Sequence, residues 1–115
     1  MQLSIVTTLY NSQQYIDEFY TRIKKEIDSL KIDQYEIIFV NDGSPDNSYD
    51  IVKNLNKNKD KNIRYIELSR NFGHHQAMLA GLNSSQGDLV FLIDVDLEDQ
   101  PEWLSKFYEK LLTEK

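Results

Sequence analysis

Hydrophobic and polar positions change rhythm several times along this chain. Leu3-Ser4-Ile5-Val6-Thr7-Thr8-Leu9 is a short, mostly apolar run that reads as a buried strand. From Ser12 to Leu30 the rhythm becomes helical: Ile16, Phe19, Ile23, Ile27 and Leu30 recur at spacings of three and four, with charges on the other face. Tyr35 to Val40 is a second apolar strand, closed by the turn Asn41-Asp42-Gly43-Ser44-Pro45. Ser44 suits an N-cap and Pro45 the first helical position, so a second helix is predicted from there to about Asn56, with Tyr49, Ile51, Val52 and Leu55 inward. Lys57-Asn58-Lys59-Asp60-Lys61-Asn62 reads as a solvated loop. Ile63 to Leu68 is a third strand, His75 to Asn83 a short helix, and Leu89 to Ile93 a fourth strand. Pro101 opens a last helix, with Leu104, Phe107, Tyr108, Leu111 and Leu112 on one face.

Strands alternating with helices predict an α/β fold with a parallel sheet. The commonest strand order for such a chain is 3-2-1-4, with a switch point between strands one and four. Ligands of such sheets sit beyond the carboxyl ends of the strands. Those ends are Thr8-Leu9-Tyr10-Asn11, Asn41-Asp42-Gly43-Ser44, Ser69-Arg70-Asn71 and Asp94-Val95-Asp96, and all four are polar. The unbroken apolar run Leu89 to Ile93 suits a strand paired on both sides and covered on both faces. The chain is therefore expected to be the first part of a larger domain.

The last of those strand ends carries the most chemistry. Carboxylates two apart at the end of a strand point the same way, and Asp94, Asp96 and Glu98 keep that spacing. Crowded, partly desolvated anions need a cation or a proton. Hard cations such as Mg²⁺ and Mn²⁺ bind through a few carboxylates together with ligand phosphates. The plain alternative is that these acids solvate the turn before the last helix, whose dipole favours them. A calcium loop is excluded, because Asp99 stands where that loop requires Gly and Ser105 where it requires Glu.

Asp42 could accept hydrogen bonds from a ribose or base, or could simply form an Asp-Gly turn. Thr8 and Tyr10 could bond to and stack on a base, or could pack at a strand end. Arg70 could meet a base or phosphate, and Gly73 would let the backbone approach closely. His74 and His75 read as polar turn residues, and Trp103 as a packing residue.

Composition narrows the field. Forty per cent of the 115 residues are hydrophobic, enough for a packed core. The net charge of −6 provides no basic stripe for nucleic acid and no polybasic membrane arm. With no cysteine, disulfides and thiolate-bound zinc are excluded, and a cytoplasmic location is expected. Glycine-rich dinucleotide and Walker A sequences are missing, as is a serine nucleophile elbow.

Together these segments resemble the family 2 glycosyltransferases of GT-A fold, a Rossmann-like nucleotide-diphospho-sugar transferase architecture. The resemblance covers essentially the whole chain. It runs through Ser4-Ile5-Val6-Thr7-Thr8-Leu9-Tyr10-Asn11, Phe39-Val40-Asn41-Asp42-Gly43-Ser44, Ser69-Arg70-Asn71-Phe72-Gly73, Ala80-Gly81-Leu82 and Asp94-Val95-Asp96-Leu97-Glu98. The Arg-Asn-Phe-Gly and Asp-x-Asp-Leu segments, with Pro101-Glu102, are similar to the polyprenyl-phosphate branch, which holds dolichyl-phosphate mannose synthase-like and bactoprenol glucosyltransferase-like enzymes. Thr8 stands where many members have Pro, Ser12 where Glu is frequent, His74 where that branch often has Lys, and Glu98 where it often has Gln.

The resemblance implies a metal-dependent, inverting transfer from a UDP- or GDP-sugar to a polyprenyl phosphate or a glycan. By position, Thr8, Tyr10, Asn11, Asp42, Arg70, Gly73 and Asp94 match the nucleotide site, and Asp94, Asp96 and Glu98 match ligands of Mn²⁺ or Mg²⁺. Residues 1–115 would be the donor-binding half, with the acceptor half and any catalytic base beyond Lys115. Any membrane contact, at the cytoplasmic face, would come through parts outside this chain. Two other classes fit less of the pattern: a non-catalytic nucleotide-sugar-binding module, and a phosphatase-like hydrolase with an Asp-x-Asp nucleophile.

Overall fold

The computed structural model describes residues 1–113, with side chains to residue 111. Its elements run β1 (Leu3–Leu9), α1 (Ile16–Ser29), β2 (Tyr35–Asn41), α2 (Ser48–Asn58), β3 (Ile63–Glu67), α3 (His74–Ser84), β4 (Leu89–Leu92) and α4 (Trp103–Thr113). The four strands are all parallel and lie in the order β3-β2-β1-β4, as the alternation of elements predicts.

Side chains alternate across the sheet, so each face has its own core. Leu3, Ile5 and Leu9 of β1 join Ile37 and Phe39 of β2 beneath α1, α2 and α4, through Ile16, Phe19, Ile23, Ile27, Val52, Leu55 and Leu104. Val6, Ile38 and Val40 face the other way, against Ala77 of α3. The strand order explains the split. From β1 to β3 the sheet grows in one direction, and then the chain doubles back across it to place β4 beside β1. Right-handed crossovers put that returning helix, α3, on the opposite face.

The starts of the strands are tied by one buried carboxylate. Glu36 is 1% exposed and accepts hydrogen bonds from Ser4 Oγ (2.6 Å), Arg64 Nη1 (2.7 Å) and the Gln86 N–H (2.6 Å). Ser4 Oγ in turn accepts the Gly87 N–H at 2.8 Å. These partners come from β1, β3 and the segment entering β4. Burial alone would raise the Glu36 carboxyl, but the bonds from Ser4, Arg64 and Gln86 outweigh it and hold the group below its ordinary range.

Several boundaries differ from the sequence reading. The helix expected from Ser12 begins at Ile16, because Ser12 Oγ exchanges bonds with the Tyr10 backbone and Gln13 N–H goes to Asp46. The helix expected at Pro45 begins at Ser48; Ser44 does not cap it but donates to Asp46, which accepts the Ser48 N–H instead. The polar stretch from Lys57 is partly α2, and its Asp60 is buried, accepting from the hydroxyls of both Tyr20 (2.9 Å) and Tyr35 (2.7 Å). The last helix starts at Trp103, where Arg22 of α1 grips Glu102, and Trp103 is 46% exposed instead of packed. Leu112 lies outside the described side chains. Among the described residues β4 pairs with β1 alone and forms a sheet edge, with Leu92 exposed, where pairing on both sides was expected.

Two outcomes test this packing. A Cβ at Gly81 of α3 would lie 2.4 Å from Val6 Cγ1 and 2.9 Å from Val40 Cγ2, both on β-branched, fully buried side chains. Helix propensity favours Gly81→Ala by about 1 kcal/mol, while overpacking costs about 1–3 kcal/mol. The clash should win, lowering the urea midpoint at unchanged m-value. For Glu36 the depressed folded pKa means its stabilisation is complete above the unfolded value of 4.5 and is lost as pH falls through the folded value. Glu36→Gln should therefore lower stability at pH 7 by about 1–3 kcal/mol and flatten the stability–pH curve below pH 4.5, as read by denaturant titrations.

Candidate functional site

The carboxyl ends of β1, β2 and β4, with the start of α3, enclose an open cavity of about 620 Å³. Its lining includes Thr8, Tyr10 and Asn11 after β1, Asp42 after β2, Asn71, Gly73 and His74 before and at the start of α3, and Asp94, Val95 and Asp96 after β4. Strand-end residues separated by up to 88 positions thus share one wall, as expected for a sheet whose order reverses between β1 and β4.

Asp42 is 3% exposed yet lines the cavity, and its Oδ1 accepts the Phe72 N–H at 2.8 Å. That bond draws the loop after β3 onto the end of β2. The contact is so close that only glycine fits beside it: Gly43 has φ +68°, and a Cβ there would sit 2.5 Å from the Asn71 nitrogen. Asn41 shapes the same turn, accepting the Ser44 N–H and donating to the Tyr65 hydroxyl at 2.8 Å. Ser44 Oγ accepts the Asn11 N–H at 2.8 Å, joining the first and second strand ends. Tyr10 is half exposed at the rim, with its ring available for stacking.

The acidic loop does not continue the strand. β4 ends at Leu92, and Asp94 to Leu97 form a turn in which Leu97 takes φ +67° and Asp96 Oδ1 accepts the Glu98 N–H at 3.1 Å. Strand alternation therefore does not govern Asp94, Asp96 and Glu98. Asp94 and Asp96 line the cavity; Glu98 does not, and no group of three acids or histidines arranged to hold a metal exists among the described residues. The expected three-carboxylate set reduces to two carboxylates on one wall. The Asp94 carboxyl is raised, first by burial and further by Asp99 and Asp96, with His74 acting in the opposite direction. Arg70 is also outside the lining, its guanidinium stacked 4.3 Å above the Phe72 ring.

The sequence reading missed several lining residues. Ser12, Gln14 and Tyr15 belong to the turn between β1 and α1 that was expected to be helix. His74, read as a turn residue, is the first residue of α3. Its Nδ1 lies 3.0 Å from Thr8 Oγ1 and its Nε2 lies 3.4 Å from Asp94 Oδ1. Only the departure from Lys at that position singled it out in the sequence.

The cavity lining holds three carboxylates and neither lysine nor arginine. Alone it repels an anion. With a divalent cation against Asp94 and Asp96, the same wall would suit a phosphate-bearing ligand, because hard cations keep few protein carboxylates and fill their remaining positions with phosphate oxygens and water. Two carboxylates in a polar, open site are a fitting donor set for Mg²⁺ or Mn²⁺.

Residues 4–115 match the family model described as glycosyl transferase family 2. A Mycobacterium tuberculosis relative named as a glycosyltransferase is 53% identical over 113 residues, covering 98% of this chain and 32% of the relative. An undecaprenyl-phosphate 4-deoxy-4-formamido-L-arabinose transferase of Edwardsiella ictaluri is 36% identical over 107 residues, covering 93% of this chain and 33% of that protein. In three dimensions the chain is similar, at 19% identity and a TM-score of 0.80, to a mannosyltransferase of Pyrobaculum calidifontis in complex with GDP-Man and Mn²⁺; the match covers 98% of this chain and 33% of that one. The fold is accordingly GT-A, and the chain spans about a third of the length of the curated relatives it matches. The chain belongs to glycosyl transferase family 2.

Proposed function

We propose that this chain supplies the donor-binding half of a metal-dependent, inverting glycosyltransferase that takes a nucleotide-diphosphate sugar, a UDP- or GDP-sugar, and delivers it to a polyprenyl phosphate or a glycan. The observation that carries the reading is the convergence of Thr8, Tyr10, Asp42, Asp94 and Asp96 on one cavity. Tyr10 and Thr8 offer a stacking face and a hydroxyl to the nucleoside. Asp42, fixed through one oxygen by the Phe72 N–H, offers the other oxygen to a ribose hydroxyl or a base N–H. Asn11 and Gly73 line the same opening. Arg70 and Glu98, which the resemblance also assigns to the site, do not line this cavity.

Asp94 and Asp96 would hold the Mn²⁺ or Mg²⁺, which when bound supplies charge neutralisation to the diphosphate. Without it, each close pair of carboxylate and phosphate charges at about 4 Å costs on the order of 4 kcal/mol at an effective dielectric of 20. A phosphate acceptor is already anionic and needs no base from the protein, whereas a sugar hydroxyl needs one. The acceptor class is supported by the undecaprenyl-phosphate substrate in the name of the Edwardsiella relative, and the metal and nucleotide by the GDP-Man and Mn²⁺ of the Pyrobaculum structure. No helix among the described residues is long and apolar enough to cross a membrane. Any contact with a lipid acceptor at the cytoplasmic face of a membrane is assigned to parts outside this chain, and the half-covered edge at β4 is where such parts would join the sheet.

A ligand that binds only the folded state raises its stability by about 2.7 kcal/mol at a hundred times its dissociation constant. UDP or GDP with Mn²⁺ should therefore raise the thermal midpoint, and Asp96→Ala should remove the metal-dependent part of the rise. An equal rise in the variant removes Asp96 from the metal's ligands, and no rise with any nucleotide overturns the donor-site reading. Given UDP- or GDP-sugars and a polyprenyl phosphate, the isolated chain should transfer no sugar; sustained turnover in a radiolabel transfer assay would show that these residues contain an acceptor site as well.

A further inference from the structure

His74 is the lining residue whose presence neither helix stability nor the fold explains. The first turn of a helix favours acids and small capping side chains, yet α3 opens on an imidazole, with no acid in that turn and no side-chain cap. The His74 and Asp94 side chains are 60% and 41% exposed, and pairs that open to water contribute little to folding. What distinguishes the ring is its placement. Nδ1 is 3.0 Å from the Thr8 hydroxyl and Nε2 is 3.4 Å from Asp94 Oδ1, so one side chain spans from the end of β1 to the acidic loop after β4. With its proton on Nε2, the neutral ring turns an N–H toward Asp94 and accepts from Thr8 at Nδ1. Thr8 is itself nearly buried, at 8% exposure, and so gives the ring a firm anchor on the sheet.

We propose that His74 is a positioning residue that holds the Asp94 carboxylate toward the cavity and thereby sets the strength of metal-dependent nucleotide binding. The inference rests on the donor-site reading above. Groups that orient a metal-binding carboxylate change metal affinity by about ten- to a hundredfold when removed.

The test is a set of calorimetric titrations of the 115-residue chain with UDP and with GDP, each with and without Mn²⁺. The proteins are wild type, His74→Ala, His74→Gln, Asp94→Asn and the double variant His74→Ala/Asp94→Asn. His74→Ala should weaken nucleotide binding in Mn²⁺ about tenfold and leave binding without metal unchanged. His74→Gln keeps an N–H within reach of Asp94 and should recover most of the loss. In the Asp94→Asn background the His74→Ala effect should vanish, because the ring acts through that carboxylate. An undiminished effect in that background, equal losses with and without Mn²⁺, or a change smaller than twofold would each overturn the inference while leaving the donor site standing. A thermal midpoint of His74→Ala far below wild type would make the residue structural and overturn it too. If wild type binds neither nucleotide under any condition, the donor-site reading falls, and this inference falls with it.

Discussion

The buried carboxylate of Glu36 is the constraint on which the rest of the molecule depends. A lone carboxylate in a core is costly, and this one is stable because Ser4, Arg64 and the Gln86 N–H all point at it. Those partners belong to β1, to β3 and to the segment entering β4, so satisfying one charge aligns the starts of all four strands. In a parallel sheet, alignment at one end fixes alignment at the other. The carboxyl ends of β1 and β2 consequently finish level, at Leu9 and Asn41, while β4 stops opposite Val6, and the cavity lies among them. A slip of one residue in β2 would leave Glu36 unpaired, a slip in β1 or β3 would remove one of its partners, and either would turn that strand's core face outward.

At the opposite end of the sheet the electrostatic situation is reversed. Glu36 is surrounded by donors, whereas Asp94 has Asp96 and Asp99 beside it as well as His74, and its carboxyl is raised by burial and by those acids. One carboxylate is satisfied within the chain and belongs to the fold. The other faces the His74 ring in an open polar cavity beside Asp96, and is suited to an external cation. Under the proposed function, a wall that repels anions until a divalent ion arrives would make nucleotide binding conditional on the metal, which suits a donor whose diphosphate becomes the leaving group.

Much of this could be read before any coordinates. Alternating apolar blocks identified each strand and helix, and the strand order followed from connection rules. The polar segments Thr8 to Asn11, Asn41 to Ser44, Ser69 to Asn71 and Asp94 to Asp96 read as one rim. The errors share a cause. Ser12 and Ser44 carry good capping chemistry, but each hydroxyl is used by a neighbouring loop, so α1 and α2 start later. Asp60, in a stretch that looks solvated, is drawn inward by the hydroxyls of Tyr20 and Tyr35. The spacing of Asp94, Asp96 and Glu98 suggested three ligands on one strand face, but the strand stops before them.

The sequence by itself determined the class of fold, the order of elements and which polar segments terminate strands, because hydrophobic periodicity and turn chemistry are local properties. It also carried the family resemblance. Tertiary structure alone decided that Glu36 joins the strand starts, that Asp42 is gripped by the Phe72 N–H, and that His74 stands between Thr8 and Asp94. Each of those contacts links residues 20 or more positions apart, and the partner of a buried or cavity-lining polar group is set by how helices and strands pack. No pattern of neighbouring residues encodes it.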